Sequence, residues 1–302
     1  MYEITLEDAR RHRPDDVSQD HWQESFFLGW YDSATRSGGH HHVSLMPNKK
    51  SAHVWSWLIV DGAIAGRQQQ HVLPLPEGDF DDLNVGSLRL TQGDNLRRLR
   101  LRADFQEASL DLDYEALCHP LEVGLNPGGL VLGKRHYESM GAVSGVARVG
   151  ARQVSLSGGA WQDHSWGVRQ FYAHRAGRWL FAVFGRELAI SAFTYMTPDG
   201  RRDFGWVFDK GTIRKVSRAV FRACVDDDGI TPLGCDATIY TDDSEELQVR
   251  GHVDASAITG DSAWYSKDGL ARFECRGLSG HGILEVNELK SLPPDLREEL
   301  EI

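Results

Sequence analysis

The sequence has no uninterrupted apolar run of the ~18 residues that a membrane-crossing helix needs. Its opening stretch, MYEITLEDARRHRPDDVSQD, alternates charges where a secretory signal requires an apolar centre. A soluble, cytoplasmic protein with no stable membrane insertion is therefore expected. Cysteine is scarce: Cys118, Cys224, Cys235 and Cys275 are widely spaced and no C-x-x-C occurs, so neither a zinc knuckle nor a thioredoxin-type site is suggested. Free thiols are expected, even though Cys224 and Cys235 flank a turn, because disulfides are rare in a reducing compartment. Basic residues are outnumbered, 33 Lys and Arg against 44 Asp and Glu, for a formal charge of -11. That sign repels phosphate backbones, so no nucleic-acid partner is expected.

Several familiar chemistries are missing too. No G-x-S-x-G occurs, and GGLVLGKR (128–135) fails as a phosphate loop because Arg135 stands where a magnesium-binding hydroxyl would be needed. Asp163-His164-Ser165 is not a catalytic triad, since consecutive strand residues point to opposite faces. In GGHHHV (38–43), His40 and His42 share one face of an extended chain and His41 takes the other. Two imidazoles fall short of a metal's three or four ligands unless His53 or His71 joins them, so a strand end with polar histidines is expected and no metal.

What is abundant is period-2 alternation, which marks antiparallel β structure. In LRRLRLRA (96–103), Leu99, Leu101 and Ala103 alternate with Arg98, Arg100 and Arg102. In SLDLDYE (109–115), Leu110, Leu112 and Tyr114 alternate with Asp111, Asp113 and Glu115. Paired, these strands bury their leucines on one side and set an arginine ladder beside a carboxylate ladder on the other, a solvated face whose acids stay ionised. Further strands are expected at 41–46, 54–60, 141–149, 152–156, 179–186, 187–196, 203–208, 211–225, 236–241, 246–253, 270–277 and 282–289, with turns at Asp61-Gly62, Pro198-Asp199-Gly200, Lys210-Gly211 and Asp228-Gly229. Helix is expected only within 17–30 and in the tail 294–302. A loop-rich stretch, 118–134, is the candidate interdomain crossing.

The densest chemistry lies in SGGAWQDHSWGVRQFYAHRAGRWLF (157–181), with Asp163 and His164 between Trp161 and Trp166, and with Arg169, Tyr172 and Trp179 following. Protonating an alkene needs an acid whose pKa burial has raised, a surface that stabilises a carbocation, and control of water. Asp163 supplies the acid, His164 a relay or base, and the aromatic rings the cation-stabilising walls. A packing signature is the competing reading: tryptophans beside glycines fill barrel ends, and Arg169 paired with Asp163 would lower the pKa of the acid. Alternation puts Trp161, Asp163, Ser165 and Arg169 on one face and Gln162, His164 and Trp166 on the other, unless a bulge near Gly167 intervenes. Asp163 is the preferred acid. Tyr137, between His136 and Glu138, could reach a pocket from the crossing; Trp55 and Trp57 share a strand face; Trp30, Tyr31, Tyr195 and Trp206 complete an undecided aromatic group.

GAWQDHSWGVRQ, preceded by HYESMGAVSGVARVGARQVSLSG, resembles the second-half signature of the carotenoid 1,2-hydratase (hydroxyneurosporene synthase) and AttH-like double lipocalin family, which includes kievitone hydratase-like proteins. ESFFLGWYDSATRSGGHHHVSLMPNKKSAHVWSWLIVDG looks like the first-half block of uncharacterised relatives, and the likeness covers about 20 to 290. The resemblance implies an all-β chain of two lipocalin-like antiparallel barrels packed together, 1–150 and 151–302, with little helix. It also implies a small apolar substrate or ligand and no organic cofactor. Three functions stay open: a hydratase, lyase or cyclase acting on an isoprenoid (terpenoid or prenylated) molecule, a non-catalytic carrier, or a pericyclase that works by preorganisation.

Overall fold

The structure, a computed structural model, describes residues 3–93, 95–124, 133–169, 175–197, 199–260 and 264–289. The chain forms two compact units that divide after residue 170. The first carries β1 (Trp22–Asp32), β2 (Ser37–Met46), β3 (Ser51–Val60), β4 (Ala63–Pro74), β5 (Leu83–Val85), β6 (Leu88–Gln92), β7 (Arg98–Asp104), β8 (Ala108–Ala116), β9 (Leu121–Glu122), β10 (Arg135–Val149) and β11 (Arg152–Val168). The second carries β12 (Ala176–Phe184), β13 (Leu188–Thr197), β14 (Gly200–Asp209), β15 (Thr212–Val225), β16 (Pro232–Thr241), β17 (Glu246–Gly260), β18 (Trp264–Cys275) and β19 (Leu278–Leu289). Each is an antiparallel, lipocalin-like sheet, as expected.

In the first unit the strands run β4-β3-β2-β1-β11-β10-β8-β7-β6-β5 in an 11-stranded sheet, with β9 pairing β10. The late strand β11 returns to the early β1, which pins the sheet at its middle. The ends β4 and β5 do not pair, but the curl brings side chains across: Gln68 of β4 accepts a hydrogen bond from the Ser87 amide at 3.1 Å. The core holds Phe26, Leu28, Val43, Leu45, Val54, Leu101, Leu112 and Ala160, all at most 2% exposed. The second unit closes fully as β12 to β19, with β19 pairing back onto β12. Its core holds Leu180, Ala182, Ile190, Val207, Ile239, Phe273 and Leu284.

The β7–β8 ladder forms as the alternation requires. Leu99, Leu101, Ala103, Leu110, Leu112 and Tyr114 are buried, and Arg100 donates to both Asp111 oxygens at 2.8 Å. That hydrogen bond holds the Asp111 carboxyl below its ordinary value, against a smaller opposing effect of burial. The expected turns form where glycine allows positive φ: Asp61-Gly62 adopts 57° and 79°, Lys210-Gly211 48° and 90°. All four cysteines are free.

Three expectations are corrected. The helix placed within 17–30 is β1 from Trp22, because both faces of that strand are buried and it reads as an apolar run without alternation. The boundary at 150 falls in the turn between β10 and β11, which pair along fifteen consecutive registers, so both strands belong to one unit and the main division comes after residue 170; residues 125–132 of the expected crossing lie outside the described residues. His40 to His42 lie inside β2 rather than at a strand end. The tail helix and most of GGLVLGKR lie outside the described residues. Among the described residues no helix is long and apolar enough to cross a membrane.

Candidate functional site

Residues directly opposite in antiparallel register share a sheet face, so the pairings of β3, β2, β1, β11 and β10 define what surrounds Asp163. One row runs Trp55, His42, Phe27, Asp163, Glu138. The next runs Trp57, His40, Gly29, Trp161, Met140, and the one on the other side His53, Ser44, Ser25, Ser165, His136. All of these point away from the unit's own core, whose residues occupy the intervening positions. Trp55 and Trp57 therefore do not pack that core; they stand with Trp161 on the face of Asp163. The middle of the second row is Gly29, which has no side chain to separate His40 from Trp161.

The rings form a continuous wall. Phe27 lies 5.4 Å from Trp161 and 4.5 Å from His40, and His42 stacks on Trp55 at 5.3 Å. Glu138 accepts hydrogen bonds from Trp161 Nε1 at 3.3 Å and pairs with His136 Nε2 at 2.9 Å. Arg169 reaches this face but donates to Ser165 at 2.6 Å and Ser25 at 3.2 Å. Among the described residues no hydrogen bond or ion pair reaches the Asp163 carboxyl, although it keeps some exposure. Burial pushes this acid up to about 7; the nearby charge of Glu138 adds to the rise, while His136 and Arg169 oppose it without prevailing. The Arg169 guanidinium is itself brought down to about 10 by burial. On the face of the acid, His42 Nδ1, Trp55 Nε1, Trp57 Nε1, His136 Nδ1 and Arg169 Nε are buried with no partner among the described residues. Each is a polar atom whose desolvation no described residue compensates.

His164 is not part of this site. β11 pairs β1 in unbroken register from Gly159 to Val168, with no bulge at Gly167. His164 and Trp166 therefore face the opposite side, together with Tyr137. There the His164 Nε2 and His12 Nδ1 atoms meet Glu24 Oε1 at 2.9 and 2.7 Å, the Tyr137 hydroxyl lies 3.3 Å from His164 Nδ1, and His12 stacks on Trp166 at 3.7 Å. Burial acts to raise the Glu24 carboxyl, but its hydrogen bonds with His12 and His164 leave it net lowered. Burial lowers His164 against the pull of Glu24.

Of the remaining sequence candidates, Tyr31 is buried on the same face of β1 as Phe27, and the other described ones divide between the core and the second unit. Trp30 is core, donating to His41 Nε2 at 3.1 Å. Trp179, Tyr195 and Trp206 share the sheet face turned away from the core of the second barrel, where Trp179, Phe193 and Phe204 stack at 5.2 and 4.7 Å. On the same face Glu285, opposite Trp179, is raised to about 8 by burial and by Asp268 beside it. Tyr172 lies outside the described residues. Sequence reasoning did not include Phe27, His40 or His42 in the site of Asp163, because strand register sets their proximity. Glu24 and His12 were missed for a similar reason: they meet His164 only through the fold.

Solved structures with this architecture form one class of double β-barrel proteins. Over 91% of this chain and 97% of its own, a protein of Nitrosomonas europaea assigned as AttH is similar at TM-score 0.62 and 12% identity. Kievitone hydratase from Nectria haematococca is similar over 90% of both chains, at 0.61 and 13%. CghA, solved with Sch210972, is similar over 89% and 88%, at 0.62 and 11%. Identities this low establish the shared fold alone. The chain belongs to the family described as a domain of unknown function, DUF7064, which matches residues 5–290. No curated protein matches its sequence.

Proposed function

We propose that the protein is an enzyme acting on a small apolar molecule of isoprenoid type, with Asp163 as the acid that protonates a carbon–carbon double bond. The observation that carries this reading is the Asp163 carboxyl itself: free of hydrogen bonds among the described residues, raised to about 7, and set amid aromatic rings. An acid with this pKa is substantially protonated at neutral pH and still transfers its proton readily. Proton transfer to the alkene leaves a carbocation that the faces of Phe27 and Trp161 stabilise. Addition of water, with its extra proton returned to the Asp163 carboxylate, gives net hydration; attack by a second double bond closes a ring and moves the cation, which then loses a neighbouring proton to the Asp163 carboxylate and leaves an isomer of the substrate. The fold shared with kievitone hydratase supports the reading. Holding the ligand unchanged as a carrier needs only the unpartnered Trp55, Trp57 and His42 nitrogens and no acid, which makes it the second reading.

The test is incubation with a panel of terpenes, prenylated phenols and polyenes, followed by mass spectrometry of everything extracted. A product heavier by one water, or an isomer of its substrate, is expected from the wild-type protein. Asp163→Asn should lower its rate about 10²–10⁴-fold with the circular dichroism unchanged. Full turnover in Asp163→Asn overturns the assignment of the acid, and tight binding with no conversion anywhere in the panel favours the carrier.

A further inference from the structure

The cluster on the opposite face of β11 has no role in this chemistry, and its composition is that of a metal site. We propose that His12, Glu24 and His164 bind one divalent first-row transition ion of the zinc class. His12 Nδ1, Glu24 Oε1 and His164 Nε2 all lie within 4.8 Å of one another, with both nitrogens already directed at the same carboxylate oxygen. An ion held at about 2.0–2.2 Å by two imidazoles and a carboxylate separates its ligand atoms by roughly 3–3.5 Å. The 2.7 and 2.9 Å contacts need to open by only about half an ångström to reach that separation.

The surroundings hold the ligands as an ion would require. The His12 amide donates to both Glu24 oxygens, at 3.1 and 3.0 Å, which fixes the carboxylate plane from the backbone. A metal on Nε2 requires the His164 proton on Nδ1, and the Tyr137 hydroxyl stands at that nitrogen to accept the hydrogen bond. Stacking on Trp166 sets the plane of the His12 ring. Glu24 and His164 are almost wholly buried, whereas the His12 side chain is 23% exposed and gives an ion its way in. Two nitrogens and one oxygen suit zinc, cobalt, nickel or iron(II) better than magnesium or calcium, which favour all-oxygen sets. Bound there, the ion would cross-link the N-terminal segment carrying His12 to β1 and β11. The second histidine group, His53 and His71 with ring centres 5.6 Å apart, has only two imidazoles and serves as the control.

The experiment uses the full chain stripped with chelator, then titrated with Zn²⁺ or Co²⁺, desalted and analysed for metal, with thermal melts in parallel. One equivalent of Zn²⁺ is expected to be retained, the melting temperature to rise with Zn²⁺ and not with Mg²⁺, and Co²⁺ to give visible d–d bands without a thiolate charge-transfer band. His12→Ala removes a partly exposed side chain; it should weaken retention at least 10-fold and abolish the melting shift, while His71→Ala leaves both unchanged. Glu24→Gln should reproduce the loss, and the cobalt spectrum of the wild-type chain reads the ligand set should either variant fail to fold. No saturable retention by the wild-type chain, full retention by folded His12→Ala, or loss confined to His71→Ala each overturns the proposal.

Discussion

Asp163 has a consequence for stability as well as chemistry. Its folded pKa of about 7 stands above the ordinary 3.8, so the folded chain binds this proton more tightly than the unfolded chain does. The resulting stabilisation is complete below about pH 4 and is lost as pH rises through about 7. The wild-type protein should therefore lose stability relative to Asp163→Asn between those limits, at no more than about 1.4 kcal/mol per pH unit, softened by the partial exposure of the side chain. Denaturant melts of both proteins at several pH values measure the difference. Turnover should instead hold up to about pH 7 and fall along a limb above it, as the protonated form disappears. Removing the charge of Arg169, which opposes the rise, should move that limb to higher pH in Arg169→Gln.

At the scale of single strands, legibility follows how many faces are buried. β7 and β8 could be read because Arg100 and Asp111 face water while Leu101 and Leu112 do not. β1 could not, since Glu24, Phe26 and Leu28 on one side and Phe27 and Tyr31 on the other are all buried. The site was half legible for the same reason: alternation groups Asp163 with Trp161 and Arg169, but only register brings His42 and Trp55 into their row. Close strand pairing also fixes small residues. A Cβ on Gly158 would lie 2.2 Å from the Tyr31 carbonyl oxygen of the neighbouring strand, so Gly158→Ala should cost about 1–3 kcal/mol in chemical denaturation. By contrast Asp111→Ala, at a solvated ladder, should cost less than about 1 kcal/mol.

For the molecule as a whole, the two units manage their sheet edges differently. The second is closed and has no free edge, whereas the first ends in β4 and β5. β4 is largely exposed and carries Arg67, a charge that discourages pairing with another chain. Hydrogen exchange should therefore be fastest at the amides of β4 and β5 and slowest along β1, β11 and the barrel strands, as mass spectrometry of exchanged peptides would show. β11 sits at the middle of the first sheet with a different cluster on each side. Sliding it by one residue against β1 would carry Asp163 into the cluster of Glu24 and His164 onto the aromatic wall. A single-residue insertion or deletion in this segment would exchange the two chemistries at once, so lineages of this protein should tolerate side-chain replacement here far more readily than any change in length.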